Sequence, residues 1–337
     1  MRVTVLTTSW PRHRSDPGGG FVHASCERLS ACGAQLTIHP LEPGIGMEGA
    51  EVLPLGLELD HRVGGMLSRM ARRPQLAVPL LGRLLRRYPQ WAGADRVVCH
   101  WAVPLPLLAQ VQGVAADRLR TWCHGSGLRL PGASWMLGRA HQLALVGDHQ
   151  RSRVPKRFAS KVTVIPVPID GVAQPLRTAE KRVIFVGRLV RQKGPDLIPA
   201  VLDQLPGWSA VVVGDGPLRG QLESDRRITC LGALPPKVWQ ERIGGGVGVC
   251  PSRSAEGMPL VVDELRLAGI PVVVASVDGL AQRVEHGVNG WVVEGRNPQV
   301  WSATIAQAHA STTWSQGLAS ERAHPDAWAR FTDWVLS

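Results

Sequence analysis

Short, almost unbroken apolar runs recur along the chain, among them Val97-Val98-Cys99 and Ala210-Val-Val-Val213. Their β-branched bias is that of strands buried on both faces of a parallel sheet. Such runs place strands at 2–8 and near 35–39, 51–55, 95–99, 119–123, 143–147 and 162–165, and again at 182–186, 210–213, 228–231, 246–250, 271–275 and 291–293. Helical or loop segments separate them, including helices expected from about Phe21 to Cys32 and from Pro195 to about Leu205. This alternation predicts an α/β fold of doubly wound parallel sheets. The pattern pauses at Ile165-Pro-Val-Pro-Ile-Asp170, and 171–180 is aperiodic. The expected organisation is therefore a first Rossmann-like domain over 1–170, a second over 171–315, and a terminal helix within 316–337.

Ligands of such sheets bind beyond the carboxyl ends of the strands, so the polar groups that follow strands are the candidates. After the first strand comes Gly18-Gly19-Gly20, which either lets a ligand approach the backbone closely or is a plain flexible loop. His100-Trp101, His124-Gly-Ser126 and Asp148-His149 each follow a strand. One histidine so placed is usually a hydrogen-bonded surface group; three strands delivering such groups to one edge favour a ligand cleft.

In the second half, Gly187-Arg188-Leu-Val-Arg-Gln192-Lys193-Gly194 follows strand 182–186. It superficially resembles a P-loop, but Gln192 stands where the second glycine belongs and Gly194 where Ser or Thr belongs, which disfavours an NTPase. Arg188 and Lys193 remain as a cation pair able to hold phosphate oxygens, or as two solvated surface charges. The stretch Pro251–Gly269 reads as a polar loop with Ser252, Ser254, Glu256 and Gly257, then a helix opened by Pro259 and closed by Gly269. The open N–H groups at that helix start suit a phosphate. Glu264 falls on the helix face shared by Leu260, Val261, Leu265, Leu267 and Ala268. A carboxylate there needs a partner: either a buried arginine or the hydroxyls of a polyol in a cleft.

Composition adds limits. The chain has 337 residues, enough for two domains, and none of its apolar stretches approaches the roughly 20 residues of a membrane span. The N-terminus runs straight into a strand, without the longer apolar core of a signal peptide. Six scattered cysteines without a C-x-x-C pair read as reduced thiols of a cytoplasmic protein, not as a disulfide framework or zinc site. The net charge of +11 suits an anionic partner: nucleic acid, a membrane surface or a phosphorylated small molecule. Segment 66–91 sets Leu80, Leu81, Leu84 and Leu85 against Arg83, Arg86 and Arg87, with no acidic residue. It is either a basic amphipathic helix for an anionic membrane surface or an ordinary helix on the sheet.

Taken in order, these motifs resemble the retaining glycosyltransferases of the GT-B fold, in particular family GT4. The resemblance rests on Val186–Gly194, Val213-Gly-Asp-Gly-Pro217, Glu256 and Glu264 at E-x7-E spacing, Gly287-Val-Asn-Gly290, Cys99–Pro104, His124-Gly-Ser126 and Val164-Ile-Pro166. It covers almost the whole chain and is densest from Arg182 to Val293. It implies two Rossmann-like domains facing a cleft that holds a nucleotide-sugar donor, the first on the acceptor side. By the same resemblance, Arg188 and Lys193 would hold the diphosphate in place of a metal, and Glu264 would bind the ribose. Glu256 and His124 would bind the transferred sugar. Gly187, the backbone from Gly257 through Met258 and Pro259 to Leu260, and Gly19 with Gly20 would line the donor site. Activity without an obligatory metal or other cofactor is expected, with a glycan, lipid-linked or small-molecule acceptor, in cell-surface polysaccharide or glycolipid synthesis. The enzyme would be cytoplasmic, at most peripheral on the membrane's inner face.

Two departures stand out: Leu265-Arg266-Leu267-Ala268 replaces the family's small residues, and Asp278-Gly279-Leu-Ala-Gln282 replaces Gly-Gly-x-x-Glu. Asp326-Ala-Trp-Ala-Arg-Phe-Thr-Asp-Trp334 resembles the family's returning C-terminal helix. A UDP-sugar 2-epimerase shares the fold but lacks E-x7-E in this context. A nucleic-acid-binding protein would need a recognition motif or stacking array, and none is found. A catalytically silent subunit would not keep Arg188, Lys193, Glu256 and Glu264 together.

Overall fold

Among the described residues every strand pairing in the computed structural model is parallel. It describes residues 1–13, 16, 18–56, 88–129, 133–169, 174–177, 179–311 and 326–337. The chain forms two units, Met1–Pro168 with Pro325–Ser337, and Ile169–His324.

The first unit holds β1 (Arg2–Thr7), β2 (Gln35–Pro40), β3 (Ala50–Val52), β4 (Arg96–His100), β5 (Leu119–Cys123), β6 (Gln142–Leu145) and β7 (Val162–Val164). Their order across the sheet is β3-β2-β1-β4-β5-β6-β7. Order reverses between β1 and β4, the topological switch point of a doubly wound sheet. β3 is shorter than its apolar run at 51–55. Leu53 and Leu55 still donate to Ile38 and Pro40 at 2.8 Å, but Pro54 between them has no N–H for the ladder.

Helix Gly20–Ala31 follows β1, and the C-terminal helix Ala327–Leu336 packs beside it. The terminal helix is amphipathic, and its apolar face carries Phe331 and Trp334. Phe331 is fully buried with its ring 4.6 Å from that of Trp122 on β5, and Arg120 donates to the Trp334 carbonyl at 3.3 Å. The contact ties the chain's last residues into the first unit's core.

The second unit holds β8 (Arg182–Val186), β9 (Ser209–Val213), β10 (Ile228–Gly232), β11 (Val247–Cys250), β12 (Val272–Ala275) and β13 (Trp291–Val293), in the order β10-β9-β8-β11-β12-β13. This is the Rossmann order, and its switch point lies between β8 and β11. Gly248 on β11 leaves the space that Leu265 fills; a Cβ there would lie 2.8 Å from the leucine's Cδ1. The helix Leu260–Leu267 can therefore sit close against the sheet. The helix expected to reach Leu205 ends at Leu202, before Pro206-Gly207 turns the chain, with Gly207 at φ 77°.

Most of segment 66–91 lies outside the described residues, and with it the basic amphipathic stretch. Trp91, at the end of this segment, is buried in the first unit's core, its ring 4.8 Å from that of Tyr88. It is therefore not an interfacial aromatic. Among the described residues no helix is long and apolar enough to cross a membrane, and all six cysteines are unpaired.

Candidate active site

The second unit's candidates gather at the carboxyl edge of its sheet, around the switch point. β8 is followed by Gly187, whose N–H donates to Val213 O at 2.9 Å. A Cβ on Gly214 would lie 1.9 Å from Gly187 O, so these two backbones pass as closely as glycine allows. On the other side, a Cβ on Gly194 would lie 2.0 Å from Pro251 O, and Gly194 holds φ 75°. The loop bearing Arg188 and Lys193 is thus clamped between the loops after β9 and β11.

Arg296, just beyond β13, tightens the second clamp. Its guanidinium donates to Pro251 O at 2.7 Å and to Gly194 O at 3.4 Å. Asp196 takes ion pairs from Arg296, at 3.5 Å, and from Arg253.

This clamping brings Lys193 and Glu256 together. Lys193 Nζ lies 2.8 Å from Glu256 Oε2, and Ser252 Oγ donates to Glu256 Oε1 at 2.7 Å. Glu256 N in turn donates to Asp278 O at 2.8 Å. Both carboxylate oxygens are therefore held, and the Lys193 ammonium is set at the mouth of the loop. Arg188, on the same loop, is exposed.

Helix Leu260–Leu267 begins at once after this loop. Pro259 is its N-cap, in extended conformation, one position earlier than a helix-opening proline would stand. Pro259 has no N–H, so the first donors of the helix come from Leu260 and Val261, while Gly257 and Met258 precede the cap. Gly269 closes the helix as expected, at φ 76°: Gly269 N donates to Arg266 O at 3.0 Å and Ile270 N to Leu265 O at 2.9 Å.

Glu264 stands half-buried on this helix. Among the described residues nothing makes a hydrogen bond or ion pair with its carboxylate. Burial pushes its pKa up from 4.5 to about 7. The buried arginine that could have paired with it exists, since Arg266 is 3% exposed, but it faces Asp263 at 3.6 Å, which also pairs with Arg283. The helix's fully buried residues are Val262, Leu265 and Arg266, so its core face lies one step round from the arc expected from the sequence.

The first unit's candidates meet around His124. His124 follows β5, and its Nε2 lies 3.1 Å from Nδ1 of His100 at the end of β4. Phe21, in the first turn after Gly19-Gly20, places its ring 4.7 Å from that of His124, and Trp122 and Trp101 close the surround at 4.7 and 5.1 Å. Burial, reinforced by His100, keeps the His124 pKa well below the usual histidine value. The three glycines differ in what they leave open. Gly18 N–H goes to Asp16 Oδ1 at 2.9 Å, and a Cβ on Gly19 would lie 2.7 Å from Trp10 N. Only beside Gly20 is there open space. Close approach at Gly19 is therefore made by the chain itself.

Sequence reasoning missed Phe21, Asp196 and Arg296. None sits in a motif, and each acts through a partner distant in sequence. The Gly295-Arg296-Asn297 turn after a strand was the available signal for Arg296.

Residues 180–311 match the family model described as glycosyl transferases group 1. The D-inositol 3-phosphate glycosyltransferases of Mycobacterium marinum and Mycolicibacterium smegmatis are 30% and 31% identical, over 73% of this chain in each case. The chain spans only 59% and 63% of those relatives' length. Among solved structures, HepE from Anabaena, in complex with UDP and glucose, superposes with a TM-score of 0.70 at 18% identity, covering 99% of this chain and 95% of HepE. The lipopolysaccharide outer core galactosyltransferase WaaB, in its apo form, gives 0.69 at 15% identity, covering 100% and 99%. Residues 180–311 thus carry the likeness to the glycosyl transferases group 1, and the chain has the GT-B fold, with two parallel α/β domains.

Proposed function

We propose that the chain is a retaining glycosyltransferase that moves a sugar from a nucleoside-diphosphate sugar to a hydroxyl of a glycan, lipid-linked or small-molecule acceptor. The observation that carries this reading is the Glu264 carboxylate, half-buried and without a partner among the described residues, about one turn inside the helix that follows the Glu256 loop. A ribose offers the two hydroxyl donors that such an acceptor-only group lacks. The helix-start N–H groups and the two cations suit the adjoining diphosphate.

In this reading the bond between the sugar's anomeric carbon and the diphosphate oxygen breaks. Negative charge grows on the leaving nucleoside diphosphate, the acceptor oxygen bonds to the anomeric carbon on the same face, and the acceptor's hydroxyl proton passes to the departing diphosphate oxygen. Arg188 and Lys193 stabilise the growing charge, the step where fixed cations help most. Glu256, pinned by Lys193 and Ser252, binds hydroxyls of the transferred sugar, as does His124. Gly187, Gly257, Met258 and Leu260 supply close backbone to the donor, and Gly20 does so from the first unit. The two cations make a metal unnecessary.

HepE's complex with UDP and glucose and the relatives' inositol phosphate acceptor support this class of donor and a polyol acceptor. The likeness to WaaB, a lipopolysaccharide outer core galactosyltransferase, fits a role in assembly of cell-surface glycan. The test is incubation with nucleoside-diphosphate sugars and an inositol phosphate or glycan acceptor, with the product's anomeric configuration read by NMR. A product of inverted configuration, or hydrolysis alone, would overturn the reading.

A further inference from the structure

We propose that His100 is a positioning residue that fixes the tautomer of His124, so that His124 presents Nδ1–H as a hydrogen-bond donor. The consequence for catalysis rests on the proposed sugar contact of His124; the tautomer itself does not.

His100 ends β4 and is fully buried, while His124 lies one residue beyond β5, its hydrogen-bonded neighbour in the sheet. The two ring planes are 6° apart with centroids 5.3 Å apart, and Nδ1 of His100 is 3.1 Å from Nε2 of His124. The nitrogens being so much closer than the centroids, the rings meet edge to edge and nearly in one plane, the geometry of a hydrogen bond. Both rings are neutral: burial lowers His100 to about 3 and His124 well below its usual value. Their surround is aromatic, from Phe21, Trp101 and Trp122, and among the described residues no carboxylate pairs with either.

One proton lies between the two nitrogens, and its owner follows from the far side of His100. Nε2 of His100 is buried with no partner among the described residues. If His124 donated, His100 would accept at Nδ1 and carry its own proton on Nε2, a sealed N–H with nothing to receive it. If His100 donates, the sealed atom is a bare lone pair, the less costly orphan. His124 then accepts at Nε2 and bears its proton on Nδ1, which also has no partner among the described residues but is not sealed off. A ligand oxygen beside His124 Nδ1 therefore meets a donor whose direction is set from the core, as a second group commonly sets a functional histidine's tautomer.

Nitrogen-15 NMR of the imidazoles of the full chain reads this directly. The expected result is His124 protonated at Nδ1 in the wild type and in His100→Asn, whose amide N–H can replace the lost donor. In His100→Phe the preference is lost. Transfer should follow, with kcat/KM lowered about tenfold in His100→Phe, the worth of one oriented hydrogen bond, and largely restored in His100→Asn. His124 protonated at Nε2 in the wild type would overturn the inference even if neither variant folds. So would an unchanged His124 tautomer in a folded His100→Phe. The stated tautomer with transfer untouched by either variant would overturn the sugar contact of His124 and leave the His100 assignment standing.

Discussion

Lys193 Nζ and Glu256 Oε2 lie 2.8 Å apart although 63 residues separate them in sequence. They come from the loops after β8 and β11, the two strands at the switch point of the second sheet. In the proposed function the ammonium is thus already placed where a diphosphate would arrive, and the carboxylate is already oriented. Lys193→Ala should lower kcat/KM by about 10²–10³, the usual loss when one preorganised charge-stabilising group is removed. Glu256 keeps its Ser252 bond in that variant, so the melting temperature should stay within a few degrees. Near-normal turnover would remove Lys193 from the diphosphate.

Glu264 gives a pH dependence with a definite sign. Its folded pKa, about 7, lies above its ordinary value of 4.5. The folded protein therefore binds more protons in that interval, and the stability this site contributes is present below about 4.5 and lost as pH rises through 7. Glu264→Gln removes the ionisation. The ligand-free variant should match the wild type at pH 4.5 and melt higher at pH 8. Donor binding should behave oppositely, because ribose hydroxyls favour the charged carboxylate: wild-type affinity should rise through pH 7, and that rise should vanish in the variant. Parallel pH profiles for both proteins would contradict the ribose role.

The loop clamp is testable without substrate. Gly214→Ala puts a methyl within 1.9 Å of Gly187 O at φ 138° and should destabilise by more than about 1 kcal/mol. Gly207→Ala is the control, since Gly207 shares a positive φ of 77° but has nothing within 4 Å. Chemical denaturation of both variants should show the larger loss at Gly214. Equal losses would mean that backbone conformation alone matters and that the close approach is relieved by movement.

Transfer should survive metal chelation. If Arg188 and Lys193 balance the leaving diphosphate, EDTA leaves the initial rate within about twofold, since fixed cations already occupy the electrostatic role. Complete loss in EDTA, restored by a divalent ion, would contradict that division of labour.

Strand–helix alternation made both parallel sheets legible in the sequence, because strands buried on two faces read as apolar runs whatever their neighbours. The E-x7-E spacing located Glu256 and Glu264 for the same reason: both lie within one local β-loop-α unit. Pairings across the fold were not legible. Nothing local announces that Lys193 reaches Glu256, or that Arg283 reaches Asp263. The triple glycine is used partly by the chain itself, since Gly18 donates to Asp16 and Gly19 packs tightly against the Trp10 backbone. Trp91, at the end of segment 66–91, is buried in the first unit's core, a placement that periodicity does not reveal. Local pattern specifies elements; partners depend on which strand ends the topology brings together.

The most direct measurement is the thermal shift of the wild type and of Lys193→Ala with a panel of nucleoside-diphosphate sugars. At one hundred times its dissociation constant a true donor stabilises the protein by about 2.7 kcal/mol. The account predicts a saturable rise for at least one member of the panel, greatly reduced in Lys193→Ala. No rise with any member, or a rise that Lys193→Ala leaves unchanged, would contradict it.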